Sequence, residues 1–270
     1  MNIQAYALTD KGRKRTNNED AVLFEVRNAS EEEVLGLFAV CDGVGGQRCG
    51  ECASSITIDK LKTELADLFN PPNPYDTRRF PAEGDTQPIE FAQILKKVGA
   101  AVQSANQAVV TFAQQNPQKA GDAGTTLTMA FAKGPLVAVA NVGDSRTYRL
   151  HDHQLIQISH DHSLVRYLVD MGQIRSDQIY THPQRNVIVR SLGMKEEVDV
   201  DVFQVKVEPG DWLFLCSDGY WEMVRDPSST ISIIENAASP QEACQKLVAA
   251  ANAAGGEDNI SVVLARFTEG

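Results

Sequence analysis

The chain has 270 residues, of which 43% are hydrophobic, and a formal net charge of −11. That acidity argues against nonspecific nucleic-acid binding and against attraction to an anionic membrane, because both would repel the chain at long range. The length and apolar content suit one large domain, which we take to span residues 1–270.

The N-terminus lacks a signal-peptide core, and no apolar run approaches the ~20 residues of a spanning helix, so the expected location is the cytoplasm. Residues 9–20 form a polar stretch with four cations, Lys11, Arg13, Lys14 and Arg15, and lead into a strand-like segment at 21–26. Arg15 admits two readings: a solvated loop cation, or a guanidinium that reaches back to pair with two oxygens of a phosphate or carboxylate. Residues 34–41 read as a buried strand, ended by Asp42 and the glycine turn Gly43-Val44-Gly45-Gly46. A carboxylate placed there loses hydration, and a cation or several donors must offset the loss.

Cys49 and Cys52 follow as a CxxC. With no second pair and no histidines at ligand spacing, zinc is disfavoured, which leaves packing or a thiol–disulfide role. Cys41 and Cys216, inside strand-like runs, read as small buried side chains. Residues 51–69 carry Ala53, Ile56, Leu61, Leu65 and Leu68 at near-helical spacing, and a second helix runs from about Ile89 to Asn116-Pro117. Between them, 70–88 holds five prolines, Pro71, Pro72, Pro74, Pro81 and Pro88, and reads as an exposed insertion.

Strands dominate the middle. Residues 125–133 and 136–142 form a hairpin across Gly134-Pro135, and 145–150 continues to 154–158 through His151-Asp152-His153. Leu164 to Met171 suits a short helix and 174–186 a surface segment. Residues 198–207 alternate as a strand with a slip near Phe203, and 212–217 forms another apolar strand running into Asp218-Gly219. Two helices, at about 227–238 and 240–254, precede a last strand at 260–267.

Asp20, Asp42, Asp144, Asp218 and Asp258 all stand at strand edges. One such acid is ordinarily a turn residue or cap. Five that converge at one end of a packed β core would repel each other unless divalent cations were present. Oxygen ligands without thiolate or imidazole favour magnesium or manganese. Two such ions about 3.5–4 Å apart can share a carboxylate and a water and turn that water into a nucleophile at neutral pH. The chemistry implied is hydrolysis of a phosphate ester, with Asp42 best placed to bridge and Arg15 to meet the substrate anion.

The ordered motifs Arg15-Thr16-Asn17-Asn18-Glu19-Asp20, Asp42-Gly43-Val44-Gly45-Gly46, Ala123-Gly124-Thr125-Thr126-Leu127, Val142-Gly143-Asp144-Ser145-Arg146, Asp161-His162-Ser163, Arg190-Ser191-Leu192-Gly193, Ser217-Asp218-Gly219 and Asp258-Asn259-Ile260-Ser261 cover nearly the whole chain. On these residues the chain resembles the metal-dependent, type 2C serine/threonine protein phosphatases in their compact bacterial form. The resemblance implies an α+β fold, a four-layer α-β-β-α sandwich of two mainly antiparallel sheets packed face to face with helices on both outer faces. It implies two Mg2+ or Mn2+ ions: Asp42 bridging, the Gly43 carbonyl on one, Asp218 and Asp258 on the other, and Asp20 acting through water. Asp144 with Asp218 matches a third, weaker position, and Arg15 would hold the substrate phosphate.

Val44 stands where many eukaryotic relatives carry a histidine proposed as general acid. A metal-coordinated water or His182, on the segment corresponding to a flap at about 164–186, is left to supply the proton. The expected activity is hydrolysis of phosphoserine and phosphothreonine in phosphorylated protein substrates, opposing a cognate serine/threonine kinase, by a monomer. Two other readings are a catalytically silent phosphoprotein-binding module and a phosphatase switched through Cys49 and Cys52.

Overall fold

The computed structural model describes residues 1–28, 34–44, 49–69 and 90–270; the proline-rich 70–88 stretch, with Gly45 and Gly46, lies outside the described residues. The first strands are β1 (Asn2–Asp10), β2 (Ala21–Asn28), β3 (Val34–Cys41) and the short β4 (Gly43–Val44). Helices α1 (Gly50–Phe69), α2 (Phe91–Gln115) and the one-turn α3 (Pro117–Ala120) follow. Next come β5 (Gly124–Thr125), β6 (Leu127–Lys133), β7 (Leu136–Val142), β8 (Arg146–His151) and β9 (Gln154–Gln157). Helix α4 (Leu164–Asp170) and a 3-10 turn (Ser176–Thr181) precede β10 (Asp201–Lys206) and β11 (Trp212–Cys216). The chain ends with α5 (Asp218–Trp221), α6 (Pro227–Glu235), α7 (Pro240–Ala253) and β12 (Ile260–Thr268).

Two five-stranded antiparallel sheets result, ordered β1-β12-β11-β8-β9 and β10-β7-β6-β3-β2. Strand alternation sorts their side chains. In β3, Phe38 and Val40 point between the sheets to meet Leu213, Leu215, Val263 and Phe267. The odd residues Leu35, Leu37, Ala39 and Cys41 face Leu61 and Leu65 of α1 and Val98 and Val102 of α2. Phe214, Val262 and Leu264 turn outward from the other sheet to Leu247 and Ala251 of α7. The layers are therefore helices, sheet, sheet, helices, as the resemblance implies. Local signals start the helices of the second layer: Asp226 and Ser239 accept hydrogen bonds from Ser228 and Glu242 N–H groups, and each is followed by a proline at the first helical position.

One expectation needs correction, and one strand is new. The slip near Phe203 is no slip: Val198, Val200 and Val202 face the α1/α2 layer, whereas Phe203, Val205 and Val207 face the other sheet. The chain alternates strictly, but apolar residues occupy one face before the middle and the other face after it. Strand β1, not anticipated from the sequence, lies against β12 with Ile3 paired to Phe267 and Asp10 to Ile260. Small alanines on its inner face and Tyr6 and Leu8 on its outer face blur the period.

Candidate active site

Strand register gathers the acids. Ala21 pairs with Cys41, so Asp20 and Asp42 are the next residues beyond the same end of that pair. Leu127 pairs with Val142, which brings Gly143-Asp144 to that edge. In the other sheet Cys216 pairs with both Arg146 and Val262, so Asp218 leaves beside Asp144 and Asp258 enters beside Asp218.

The motif backbone fixes each acid. The Asp42 N–H donates to Thr126 Oγ1 (3.0 Å), and its carbonyl accepts from the Thr126 N–H (2.8 Å) and the Thr125 hydroxyl (2.9 Å). With its main chain engaged, the carboxylate is left for the cleft. Gly143 has φ +104°, and a Cβ there would lie 2.7 Å from the Thr126 side chain, so only glycine makes this turn. Its N–H donates to His162 Nδ1 (3.1 Å), its carbonyl accepts from the His162 N–H (2.8 Å), and the Asp144 carbonyl accepts from Trp221 Nε1 (3.0 Å). Asn259 accepts from the Glu19 N–H at 2.8 Å and donates to the Lys11 and Asn17 carbonyls, which holds the loop bearing Arg15.

Asp42, Asp218, Asp258 and Gly43 line a cleft of about 240 Å³, rimmed by Arg15, Glu19 and Val44 and, from the other side, by Asn186 and Ile188. Asp20 lies behind them, its Oδ2 accepting from the Ser217 hydroxyl at 2.9 Å. Asp144 is buried beside Asp218. Arg15 Nη2 pairs with Asp258 Oδ2 at 2.6 Å. A larger groove of about 860 Å³, between α2 and residues 189–199, contains none of the five acids.

The acids are short of donors. The Oδ1 atoms of Asp20, Asp144 and Asp218 are buried without a hydrogen-bond partner among the described residues, and Asp42 and Asp218 bond to each other. Burial, then the charges of Asp218 and Asp20, pushes Asp42 well above the ordinary carboxylate range. Asp144 rises for the same reason, with Asp218 and Asp161 as its charged neighbours. Burial takes Asp20 up to about 7 against hydrogen bonds from Ser261 and Ser217, and burial with Asp258 takes Asp218 to about 6. Carboxyl oxygens that find no donor among the described residues fit hard divalent cations such as Mg2+ or Mn2+.

His182 is the one proposed site residue that stands apart: it ends the 3-10 turn, its Nδ1 accepts from the Gln184 N–H at 3.2 Å, and it does not line the cleft. The other histidines pair elsewhere, His151 with Asp211, His153 with Glu235 and His160 with Asp170. Glu19, Asn186, Ile188 and Asn259 were given no role on sequence grounds. Glu19 and Asn259 each adjoin a strand-edge acid inside a motif, a usable signal; Asn186 and Ile188 sit on a segment of weak pattern and carried none.

Comparison with known proteins agrees with this geometry. Residues 9–253 match the family model for Protein phosphatase 2C. The serine/threonine phosphatase Stp of Listeria monocytogenes is 35% identical over 257 residues, 95% of this chain and 92% of that protein. The structure of serine/threonine phosphatase Stp1 from Staphylococcus aureus is similar at TM-score 0.84 and 31% identity, covering 100% of this chain and 96% of that one. The PstP catalytic domain in complex with two manganese ions is similar at TM-score 0.78 and 30% identity, covering 99% of both chains. The chain belongs to the protein phosphatase 2C family.

Proposed function

We infer that this protein is a magnesium- or manganese-dependent protein phosphatase that hydrolyses phosphoserine and phosphothreonine in phosphorylated proteins. The observation that carries the reading is the set of carboxylates with buried oxygens lacking donors among the described residues, beneath a cleft whose rim bears Arg15. Asp42, Asp218, Asp258 and the Gly43 carbonyl are the groups that would hold two ions, with Asp20 behind them and Asp144 beside Asp218 for a third. When bound, the ions supply positive charge for the phosphoryl oxygens and activate water as nucleophile.

The chain's own residues do the rest. Arg15, now paired with Asp258, presents a planar fork at the cleft mouth and is assigned to the substrate phosphoryl group. Asn259 sets that fork by tying down the 11–19 loop. Val44 brings no proton to the leaving serine or threonine oxygen, so solvent entering the open cleft is assigned that task. His182 becomes a donor only through a movement of the flap. None of the cysteines is needed as a nucleophile.

An acidic chain and the lack, among the described residues, of any helix long and apolar enough to cross a membrane support a cytoplasmic phosphatase opposing a serine/threonine kinase. We take the working unit to be a monomer. The test is hydrolysis of a phosphothreonine peptide by metal-stripped protein, with manganese or magnesium returned, beside Asp42→Asn. Activity restored by metal and lost in the variant is expected; a folded protein inactive under either metal would overturn the reading.

A further inference from the structure

Two of the five cysteines differ from the rest. Cys41, Cys216 and Cys244 are buried and free. Cys49 and Cys52 are half-buried and bonded to each other, with Cα atoms 5.1 Å apart. They bracket the first turn of α1, where the Cys49 carbonyl accepts from the Cys52 N–H (3.0 Å) and the Ala53 N–H (3.3 Å). Cys49 has φ +60°, a conformation that residues with side chains seldom adopt.

That turn lies against the cleft. Gly50 approaches so closely that a Cβ on it would sit 2.9 Å from the Gly43 carbonyl oxygen and 2.4 Å from a Glu19 carboxylate oxygen. The Ser54 hydroxyl donates to the Glu19 carbonyl (2.6 Å), and the same carbonyl accepts from the Gly43 N–H (3.2 Å). The start of α1 thus touches the carbonyl assigned to an ion and braces the segment that carries the acids Glu19 and Asp20.

We propose that Cys49 and Cys52 are a dithiol–disulfide exchange site for small cellular thiols of the glutathione class, and that its state sets how firmly Gly43 is held at the metal centre. The second half rests on the metal-dependent reading; the first does not. In reduction, a partner thiolate attacks one sulfur of the pair, forming a mixed disulfide and freeing the other cysteine. A second partner thiolate then displaces the mixed disulfide, so the partner leaves as its disulfide, two electrons pass to the pair, and the partners' two protons end on Cys49 and Cys52. Oxidation by the partner disulfide is the reverse.

Placement favours this chemistry over a structural ion. Cys49, Glu51 and Cys52 offer three ligand atoms within 4.8 Å of one another, one short of a tetrahedral set among the described residues. The first turn of a helix also steadies a thiolate. With the disulfide closed, Cys49 is stapled into its unfavourable backbone conformation; with it open, the two hydrogen bonds to its carbonyl and the contact of its Sγ with Glu51 Oε1 (3.7 Å) are what the described residues offer to keep it there, and the contact between Gly50 and Gly43 loosens.

The test equilibrates the intact, metal-stripped protein across ratios of glutathione to glutathione disulfide, counts alkylated thiols by mass, and titrates Mn2+ calorimetrically into both forms. The two thiols are expected to convert together and reversibly within the range set by cytosolic glutathione. The reduced form is expected to bind Mn2+ about tenfold more weakly, the low end of what changes around a ligand do to metal affinity. Cys49→Ser/Cys52→Ser should bind Mn2+ like the reduced form at every ratio and keep its turnover at saturating metal. A pair that stays wholly reduced or wholly oxidised at all ratios would overturn the exchange site, and equal Mn2+ affinity of the two forms would overturn the coupling. Thiol counting needs no phosphatase turnover, so failure of the enzymatic reading would register separately.

Discussion

Aspartates sit at both ends of β11, Asp211 buried and Asp218 half-buried with one buried oxygen, and they are treated oppositely. At its start, Asp211 is 2% exposed and fully partnered: Oδ2 accepts from Arg149 Nε and the Glu208 N–H, each at 2.8 Å, and Oδ1 lies 2.7 Å from His151 Nδ1. Past its end, Asp218 keeps an oxygen without a donor, as do its neighbours Asp20 and Asp144. Asp161 belongs with Asp211, held by the Arg146 fork and Gln157. Burial is shared by both groups, so burial does not mark function here. What separates them is whether the chain supplies the compensating charge or leaves it to be supplied.

The largest effect expected from this contrast is on turnover. Asp42→Asn should lower metal-dependent hydrolysis of a phosphothreonine peptide by about a thousandfold or more. Losing the carboxylate proposed to be shared by two ions would remove several kcal/mol of transition-state stabilisation, at roughly 1.4 kcal/mol per factor of ten. The same change should raise the melting temperature of the metal-free protein, because it deletes an acid whose ionisation is opposed by desolvation and by the neighbouring Asp218, Asp20 and Asp144. Asp211→Asn is the mirror experiment. It should destabilise the fold by about 3 kcal/mol, the low end for breaking a buried ion pair, and leave the activity per folded molecule intact. Denaturant melts of the two variants check the pair; an Asp42→Asn protein that melts below the parent without metal would break the comparison.

Arg15 comes next. Its charge-assisted bond to an oxyanion is worth about 1.5–3 kcal/mol, so Arg15→Ala should cut kcat/KM for the phosphopeptide by about 10- to 100-fold. Because Arg15 now pairs with Asp258 in a solvent-exposed ion pair, stability should hardly move, and thermal melts beside the kinetics would show it. An unchanged kcat/KM would remove Arg15 from the substrate.

Much of this was legible before any coordinates. Asp42, Asp144 and Asp218 each follow an apolar run and precede or adjoin a glycine, a local pattern that needs no knowledge of pairing. The partners of the structural acids were not legible: Arg146 reaches Asp161 across 15 residues and Arg149 reaches Asp211 across 62, distances that only the β8–β9 and β8–β11 pairings close. Strand β1 escaped because its two faces are both apolar, one lined by small side chains, so neither period stands out. His182 was selected from a segment of weak pattern, where no periodicity says which side a residue faces.

A smaller effect separates the two classes by pH. Asp218 and Asp20 rise from 3.8 to about 6 and about 7 in the fold, so the folded state binds more protons than the unfolded one. The sign follows: the stability these two carboxyls contribute to the metal-free protein is fully present below 3.8 and is lost as pH climbs from there through about 6 to 7. Each kcal/mol lost lowers the melting temperature by about 2–4 °C. Manganese should flatten that decline and release protons on binding, since the ion takes their place. A melting temperature in chelator that rises over the same pH interval would contradict the donor-starved description of these acids.

The smallest expected effect concerns the flap. Tyr180 packs edge-on against Trp221 and under Arg225, and Arg185 reaches Glu222 at 3.6 Å, so His182 lies between two anchors that dock its segment on α5 and the turn after it, and it does not line the cleft. Held there, it behaves as a surface residue, and His182→Ala should change kcat by no more than about twofold, as replacements outside packed or bonded networks do. A general acid would contribute about a hundredfold or more, and its loss would also remove the alkaline limb of the pH–rate profile. Breaking one anchor sharpens the measurement. In Arg185→Ala, a flap freed to swing could carry His182 to the leaving oxygen, and only then would a second change at His182 slow the reaction. If instead His182→Ala alone costs a hundredfold with the anchors intact, the docked flap is not the conformation in which the proton is delivered.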